Sequence, residues 1–173
     1  MSTAHLEIER KYLIKRPGED ILVQHGAKKY VIEQIYLPDR GEDTERIRKI
    51  SIDRVTEYYH TVKKHVTDLT RIEKERRISR DEYERLKKLA GYPPMRIEKV
   101  RWRLPYGGVC IELDIYPFWH KTAIAEVELA GEDERVVFPD FVRIIREVTH
   151  EKQYSNRALA ELLRDGKISE PEF

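Results

Sequence analysis

The sequence predicts an α+β protein, mainly antiparallel β, in which eight strands close into a barrel flanked by a few helices, one of them C-terminal. Three observations carry this expectation. Runs rich in Ile, Val, Tyr and Thr recur along the chain and are punctuated by turn residues. The links between the runs are short, which favours antiparallel neighbours. Within most of the runs charged and apolar residues alternate with a period of two, so those strands carry one charged and one apolar face.

The strand-like runs fall at about 5–14, 29–38, 44–51, 57–65, 70–78, 97–104, 108–116 and 123–130. Pro38 to Gly41, Asp53-Arg54, Thr67-Asp68 and Tyr106-Gly107-Gly108 separate neighbouring runs, the last as a tight hairpin. Ser79 and Glu82 form a capping box, and Tyr83, Leu86, Leu89 and Ala90 follow at helical spacing up to Gly91, which ends that helix. A C-terminal helix starts near Ser155 and runs through Leu159, Leu162 and Leu163 to Gly166. Weaker helical turns are expected at 17–26 and 139–146. No repeat or low-complexity tract interrupts the chain, so 1–173 reads as a single domain.

Composition narrows the function. Hydrophobic residues make up 40% and charged residues 38%, against roughly 45–50% and ~25% in ordinary globular chains. Lys plus Arg number 33 and Asp plus Glu 32, for a net charge of +1 with both signs interleaved. Nucleic acid and anionic membranes call for a basic excess or a basic face, and neither is expected as a partner. No window approaches the ~20 apolar residues of a membrane span. Glu7 and Glu9 precede any apolar run, which speaks against a secretory signal and for a cytoplasmic protein. Cys110 is the only cysteine, so an internal disulfide and a cysteine-based zinc site are ruled out.

The phase of the charges is the informative feature. Glu7, Glu9 and Lys11 share one strand face, and Leu6, Ile8 and Tyr12 the other. Arg46 and Arg48 flank Ile47; Lys63 aligns with Thr61 opposite Val62; Arg71, Glu73 and Glu75 oppose Ile72 and Ile78. Lys99, Arg101 and Arg103 alternate with Val100, Trp102 and Leu104, Glu112 and Asp114 with Leu113, and Glu126 and Glu128 with Val127. An ion-paired surface would scatter charge without regard to face. A wet antiparallel sheet would alternate, but with Thr, Ser and Gln among its polar positions. Eight strands suffice to close a barrel, and charges of both signs confined in its lumen must be neutralised. A divalent cation for the carboxylates and a polyanion for the cations would do so together.

These blocks resemble the CYTH superfamily, the triphosphate tunnel metalloenzymes. Glu7-Ile8-Glu9-Arg10-Lys11 resembles its ExExK signature, Arg46-Ile47-Arg48 its RxR strand, Thr61-Val62-Lys63 its strand ending in Lys, and Arg71-Ile72-Glu73-Lys74-Glu75 its RxExE strand. Lys99-Val100-Arg101 resembles KxR, Glu112-Leu113-Asp114 ExD, Ala125 to Leu129 AEVEL, Glu147-Val148-Thr149 EVT and Tyr154-Ser155-Asn156 YSN. The order is kept from about residue 5 to 163. The segment Trp119 to Ala123 departs from the Gly-Leu element that often precedes AEVEL.

The resemblance implies an eight-stranded tunnel that acts on triphosphates with Mg2+ or Mn2+. It implies metal ligation by Glu7, Glu9 and Glu128, with Glu126 on a second metal or on the attacking water and Asp114 assisting; hard oxygen ligands suit these ions. Lys11, Arg46, Arg48, Lys63, Arg71, Lys99 and Arg101 would cradle phosphates, Arg as a fork and Lys as a point charge. Glu73 and Glu75 would position those cations or bind metal, as would Glu112 and Asp114; Glu73 and Glu75 count with Glu126 and Lys152 as the catalytic set, Lys152 closing the tunnel mouth. For Glu73, Glu75, Glu112 and Asp114 a purely structural ion pair is the competing reading. His60 and His65 read as exposed strand or loop residues, His120 as a loop residue, Cys110 as packing, and Trp102 and Trp119 as core or rim. Hydrolysis of inorganic triphosphate by a monomer or homodimer is the leading expectation. The alternatives are a thiamine or nucleoside triphosphatase, a class IV adenylate cyclase and a non-catalytic polyphosphate or nucleotide binder. Those cyclases tend to carry a His-Phe pair several residues before ExExK, which His5-Leu6 matches poorly.

Overall fold

The computed structural model describes residues 2–41, 43–67 and 69–173, with side chains from residue 4 onward. Asp68 of the expected Thr67-Asp68 turn lies outside the described residues. The strands are β1 (Ser2–Lys15), β2 (Lys28–Tyr36), β3 (Thr44–Ile52), β4 (Val55–His65), β5 (Thr70–Ile78), β6 (Arg96–Tyr106), β7 (Val109–Ile115), β8 (Thr122–Glu128) and β9 (Ile144–Glu147). The helices are α1 (Glu19–Gln24), α2 (Arg80–Lys87) and α3 (Asn156–Arg164). Among the described residues no helix is long and apolar enough to cross a membrane.

The strands pair antiparallel in the order β5-β4-β3-β2-β6-β7-β8-β1, and β1 pairs with β5 to close the barrel. Strand β1 makes closure possible by changing partners midway. Ser2 to Ile8 pair with β5 and Glu9 to Lys15 with β8. Beyond the end of β5 the freed edge of β1 is taken by β9, through Tyr12 to Ile14. The expected helical turns at 139–146 are reduced to one turn, closed by Val142 N donating to Pro139 O at 2.9 Å, and the rest of that segment goes into strand β9. Asp53, in the left-handed region at φ 54°, makes the β3–β4 turn, and Gly107 and Gly108 at φ 59° and 80° make the β6–β7 hairpin. Positive φ at both central positions matches the twist of the flanking strands and favours glycine.

The apolar faces point outward and are covered. Leu22 of α1 and the 129–143 segment, through Val136, Phe138, Phe141 and Val142, pack on Ile14, Trp102, Ile111, Leu113, Ala125 and Val127. Helix α2 lays Tyr83 over Ile35, Ile47 and Ile78; its first turn is capped by Ser79 Oγ, which accepts from Glu82 N at 3.1 Å. Inward-facing Leu13, Ile97 and Ile124 join Tyr36, Tyr116, Trp119 and Val148 with Leu159 and Ala160 of α3. This plug fills one end of the barrel. Trp119, in the segment that departs from the AEVEL flank, is part of it, held by a bond from Nε1 to Ser169 O at 2.9 Å.

Candidate functional site

The charged strand faces converge on a cavity of about 920 Å3 inside the barrel. Its walls include Glu7, Glu9 and Lys11 from β1, Arg46 and Arg48 from β3, Lys63 from β4, and Arg71, Glu73 and Glu75 from β5. Arg101, Glu112, Glu126 and Glu128 from β6, β7 and β8 complete the ring. Lys152 joins them from the turn before α3, beside Thr149 and Arg157. That turn is tied to β1: Lys11 N donates to Thr149 Oγ1 at 3.0 Å, and Lys11 Nζ to Tyr154 O at 3.4 Å.

The cavity holds three groups of charge. In the first, Lys63 Nζ donates to both oxygens of Glu7, at 3.0 and 2.7 Å, and stands 3.3 Å from Glu73. In the second, Arg101 gives Nε and Nη2 to the two oxygens of Asp114, at 2.7 and 2.8 Å, and reaches Glu126 at 3.1 Å and Glu112 at 3.2 Å. In the third, Arg48 Nη2 and Thr61 Oγ1 both donate to Glu75 Oε2, at 2.5 and 2.8 Å. Lys99 and Asp114, 2.7 Å apart and shut off from solvent, sit in the wall behind Arg101 rather than on the lumen.

Some charges are left incompletely met. Arg46 is buried, yet makes no hydrogen bond or ion pair to any described residue; Tyr36 and the nearby carboxylates of Glu73, Glu7 and Glu75 offset its burial. Burial and the neighbouring Glu126 carboxylate push the Glu9 carboxyl up to about 7, with Glu7 adding to the effect. Burial also works against the charge on Glu126, but Lys11 and Arg101 outweigh it and hold that carboxyl well below the usual range. Glu126 Oε1 is 3.3 Å from Lys11 Nζ without the alignment of a hydrogen bond, and so has no hydrogen-bond partner. Burial and Arg101 together bring the Lys99 ammonium down to about 8.

No protein-family model and no curated protein matches the sequence at a significant level. Solved structures do match. The inorganic triphosphatase NE1496 is 27% identical, over 89% of this chain and 93% of that one, with a TM-score of 0.56. A second structure of NE1496 gives 28% identity, 89% and 97% coverage and a TM-score of 0.57. The protein PH1819 from Pyrococcus horikoshii OT3 is 25% identical over 71% and 80%, with a TM-score of 0.51. The closed barrel, its inward charges and these likenesses agree. The chain has the triphosphate tunnel fold of the CYTH superfamily.

Within this CYTH tunnel Glu7, Glu9, Glu126 and Glu128 lie on paired strands, with Glu9 opposite Glu128 and Lys11 opposite Glu126. The donor set, all carboxylate oxygen, fits a hard divalent cation in chemistry. Glu126 Oε1, buried and without a hydrogen bond, and the crowded Glu9 are the atoms such a cation would relieve. As the side chains stand, no three His, Cys, Asp or Glu among the described residues converge as a metal site. Glu7 is turned to Lys63, and both oxygens of Asp114 are taken by Lys99 and Arg101.

Other tunnel residues escaped the sequence reading. Tyr30, Ile32, Tyr36, Ile50, Ile52 and Tyr59 line the lumen. Their signal was there: Ile50 and Ile52 continue the parity of Arg46 and Arg48, and Tyr59 that of Lys63. His65 lines the cavity, whereas His60 is largely buried outside it, with Nε2 2.6 Å from Glu45. Arg157, in the first turn of α3, also lines the tunnel and is held by both oxygens of Asp39.

Proposed function

We propose that the protein hydrolyses a triphosphate-containing substrate inside this tunnel with Mg2+ or Mn2+, inorganic triphosphate being the leading substrate. The observation that carries this reading is that one enclosed lumen holds both a buried, unpartnered guanidinium, Arg46, and crowded carboxylates, Glu9 beside Glu126 and Glu7. A phosphate chain satisfies the first and a divalent cation the second. The 27% identity to the inorganic triphosphatase NE1496 supports the same activity.

Glu7, Glu9, Glu126 and Glu128 would hold the cation, Glu7 exchanging Lys63 for it. Bound there, Mg2+ or Mn2+ would neutralise phosphate oxygens and help activate water. Arg46, Arg48, Lys63, Arg71 and Lys11 grip the phosphate chain and hold the terminal phosphorus in place for attack. Arg101 is aimed by the fixed Asp114 behind it, and Lys99 adds its charge through the same carboxylate. Glu73 and Glu75 orient Lys63 and Arg48. The unbonded oxygen of Glu126 orients the attacking water, and Lys152 closes over the chain from the α3 turn.

A second reading has its own support. Tyr30, Ile32, Ile50, Ile52 and Tyr59 give part of the lumen an apolar and aromatic lining, which suits an organic group such as a nucleoside or thiamine on the triphosphate. Phosphate release from inorganic, nucleoside and thiamine triphosphates, with and without Mg2+ or Mn2+, separates the readings, and cyclic AMP is assayed in the ATP reaction. The expected result is metal-dependent release, fastest from inorganic triphosphate and abolished by chelator. Full activity after exhaustive chelation removes the metal assignment; cyclic AMP as the main product replaces hydrolysis by cyclisation.

A further inference from the structure

Besides Glu126 Oε1, three buried polar atoms of the barrel's inner wall have no hydrogen-bond partner among the described residues: Oε1 of Gln34 and Nε of Arg46 and of Arg48. They form one patch. In the β2–β3 pairing Gln34 stands directly opposite Arg48, and Tyr36 opposite Arg46. Directly opposed residues share a face and hold their Cβ atoms about 4.5–5.5 Å apart. Gln34 is completely buried. Its amide nitrogen donates to Tyr36 Oη at 3.2 Å, so its carbonyl oxygen is the end left without a donor. A buried acceptor left unmet is destabilising, and an apolar side chain of similar shape would avoid the cost.

Arg48 directs Nη2 to Glu75 at 2.5 Å. A guanidinium meets a phosphate best through two parallel N–H bonds. When both Nη groups turn to the phosphate, Nε–H faces back towards the strands and needs an acceptor of its own. Gln34 Oε1 is the idle acceptor on the neighbouring strand. We propose that Gln34 is a positioning residue for anion binding: its carbonyl oxygen accepts Arg48 Nε–H and so aims the guanidinium fork at the phosphate chain. A neutral amide suits that task. A carboxylate in its place would pair with Arg48, as Glu75 does, and repel the incoming anion, whereas the amide fixes direction without cancelling charge. This inference rests on the phosphate-binding reading above.

The test compares wild type, Gln34→Leu, Gln34→Met, Arg48→Lys and the Gln34→Leu/Arg48→Lys double variant, using inorganic triphosphate as the probe. Affinity is measured by calorimetry in chelating buffer, and the ligand-induced rise in melting temperature is followed with Mg2+ present. Both Gln34 variants should bind about tenfold more weakly, as expected for one hydrogen bond to a charged group. Without ligand their melting temperatures should stay close to that of wild type, because removal of the unmet acceptor offsets loss of the bond to Tyr36 Oη. Arg48→Lys should also weaken binding, and adding Gln34→Leu to it should change nothing further, since lysine has no Nε–H. Unchanged affinity in the Gln34 variants, additive losses in the double variant, or a loss matched by a fall in melting temperature would overturn the proposal. Failure of wild type to bind the probe in either assay would instead overturn the phosphate-binding reading, and this inference with it.

Discussion

Glu9 shows how a single carboxylate can be costly to the fold and necessary to the chemistry. It is half-buried on the lumen face near Glu7 and Glu126, and its carboxyl is pushed up to about 7. Glu9→Gln keeps the shape and removes the like-charge repulsion. In chelating buffer the melting temperature of this variant should stay close to that of wild type, because relief of desolvation and of repulsion by Glu126 and Glu7 offsets the lost attraction to Lys63 and Lys11. Turnover should fall by ~10²-fold, the scale of one electrostatic element of a site. A variant that melts well below wild type, or turns over normally, would make Glu9 structural. The position of Glu9 could be read from its parity with Glu7 and Lys11. Other residues could not be placed that way. Lys99 and Asp114 carry the right parity, yet Arg101 lies between them and the lumen, and parity does not reveal depth. Gln34 has no charge to mark its face, so its neighbourhood to Arg48 appears only once β2 is paired in register with β3.

The eight barrel strands were readable because each is a run of seven or more residues rich in Ile, Val, Tyr or Thr between turn residues, and most of them alternate; β9 was not, because Ile144-Ile145-Arg146-Glu147 is too short to show a period. Its strand character comes from the edge of β1 that β5 leaves free, a tertiary effect. Helix α2 was readable from Ser79 and Glu82, but what docks it was not. Tyr83 Oη donates to Glu33 Oε1 at 2.7 Å, and Arg96 grips Glu33 Oε2 through Nε at 2.8 Å and Nη2 at 2.5 Å. Burial raises the Glu33 carboxyl, but the bonds from Tyr83 and Arg96 outweigh it and bring it below its ordinary 4.5. An acid lowered in the folded state stabilises fully above its unfolded value, and that contribution is lost as pH falls from 4.5 through the folded value. Glu33→Gln should therefore cost about 1 kcal/mol near pH 7, a modest figure because Arg96 is partly exposed. The gap between variant and wild type should close as denaturant melts are repeated below pH 4.5. A gap independent of pH would mean that packing of Tyr83, not the charge of Glu33, docks α2.

Closure turns a strand pattern into a chemical environment. On an open sheet the charged faces would meet water, and each ion pair would contribute little. Wrapped into a barrel whose far end is plugged by Tyr116, Trp119 and α3, the same faces enclose about 920 Å3 in which charges must answer one another or a ligand. Arg48 and Lys63 lie on that inner surface, while Lys49 and Lys64, one residue out of phase, are exposed on the outside. Arg48→Ala and Lys63→Ala should each lower kcat/KM for inorganic triphosphate by the loss of a charge-assisted contact of roughly 1.5–3 kcal/mol. Lys49→Ala and Lys64→Ala should stay within about 1 kcal/mol of wild type, as isolated surface charges do. Lys63→Ala should also free Glu7, so its loss should shrink at low Mg2+ if Lys63 competes with the cation for that carboxylate, and stay constant if it only binds phosphate. Circular dichroism on all four variants separates loss of fold from loss of contact. Equal losses inside and outside the barrel would mean that the alternation stabilises the sheet without serving a substrate, and the assignment of the lumen as the site of chemistry would fall even with the barrel intact.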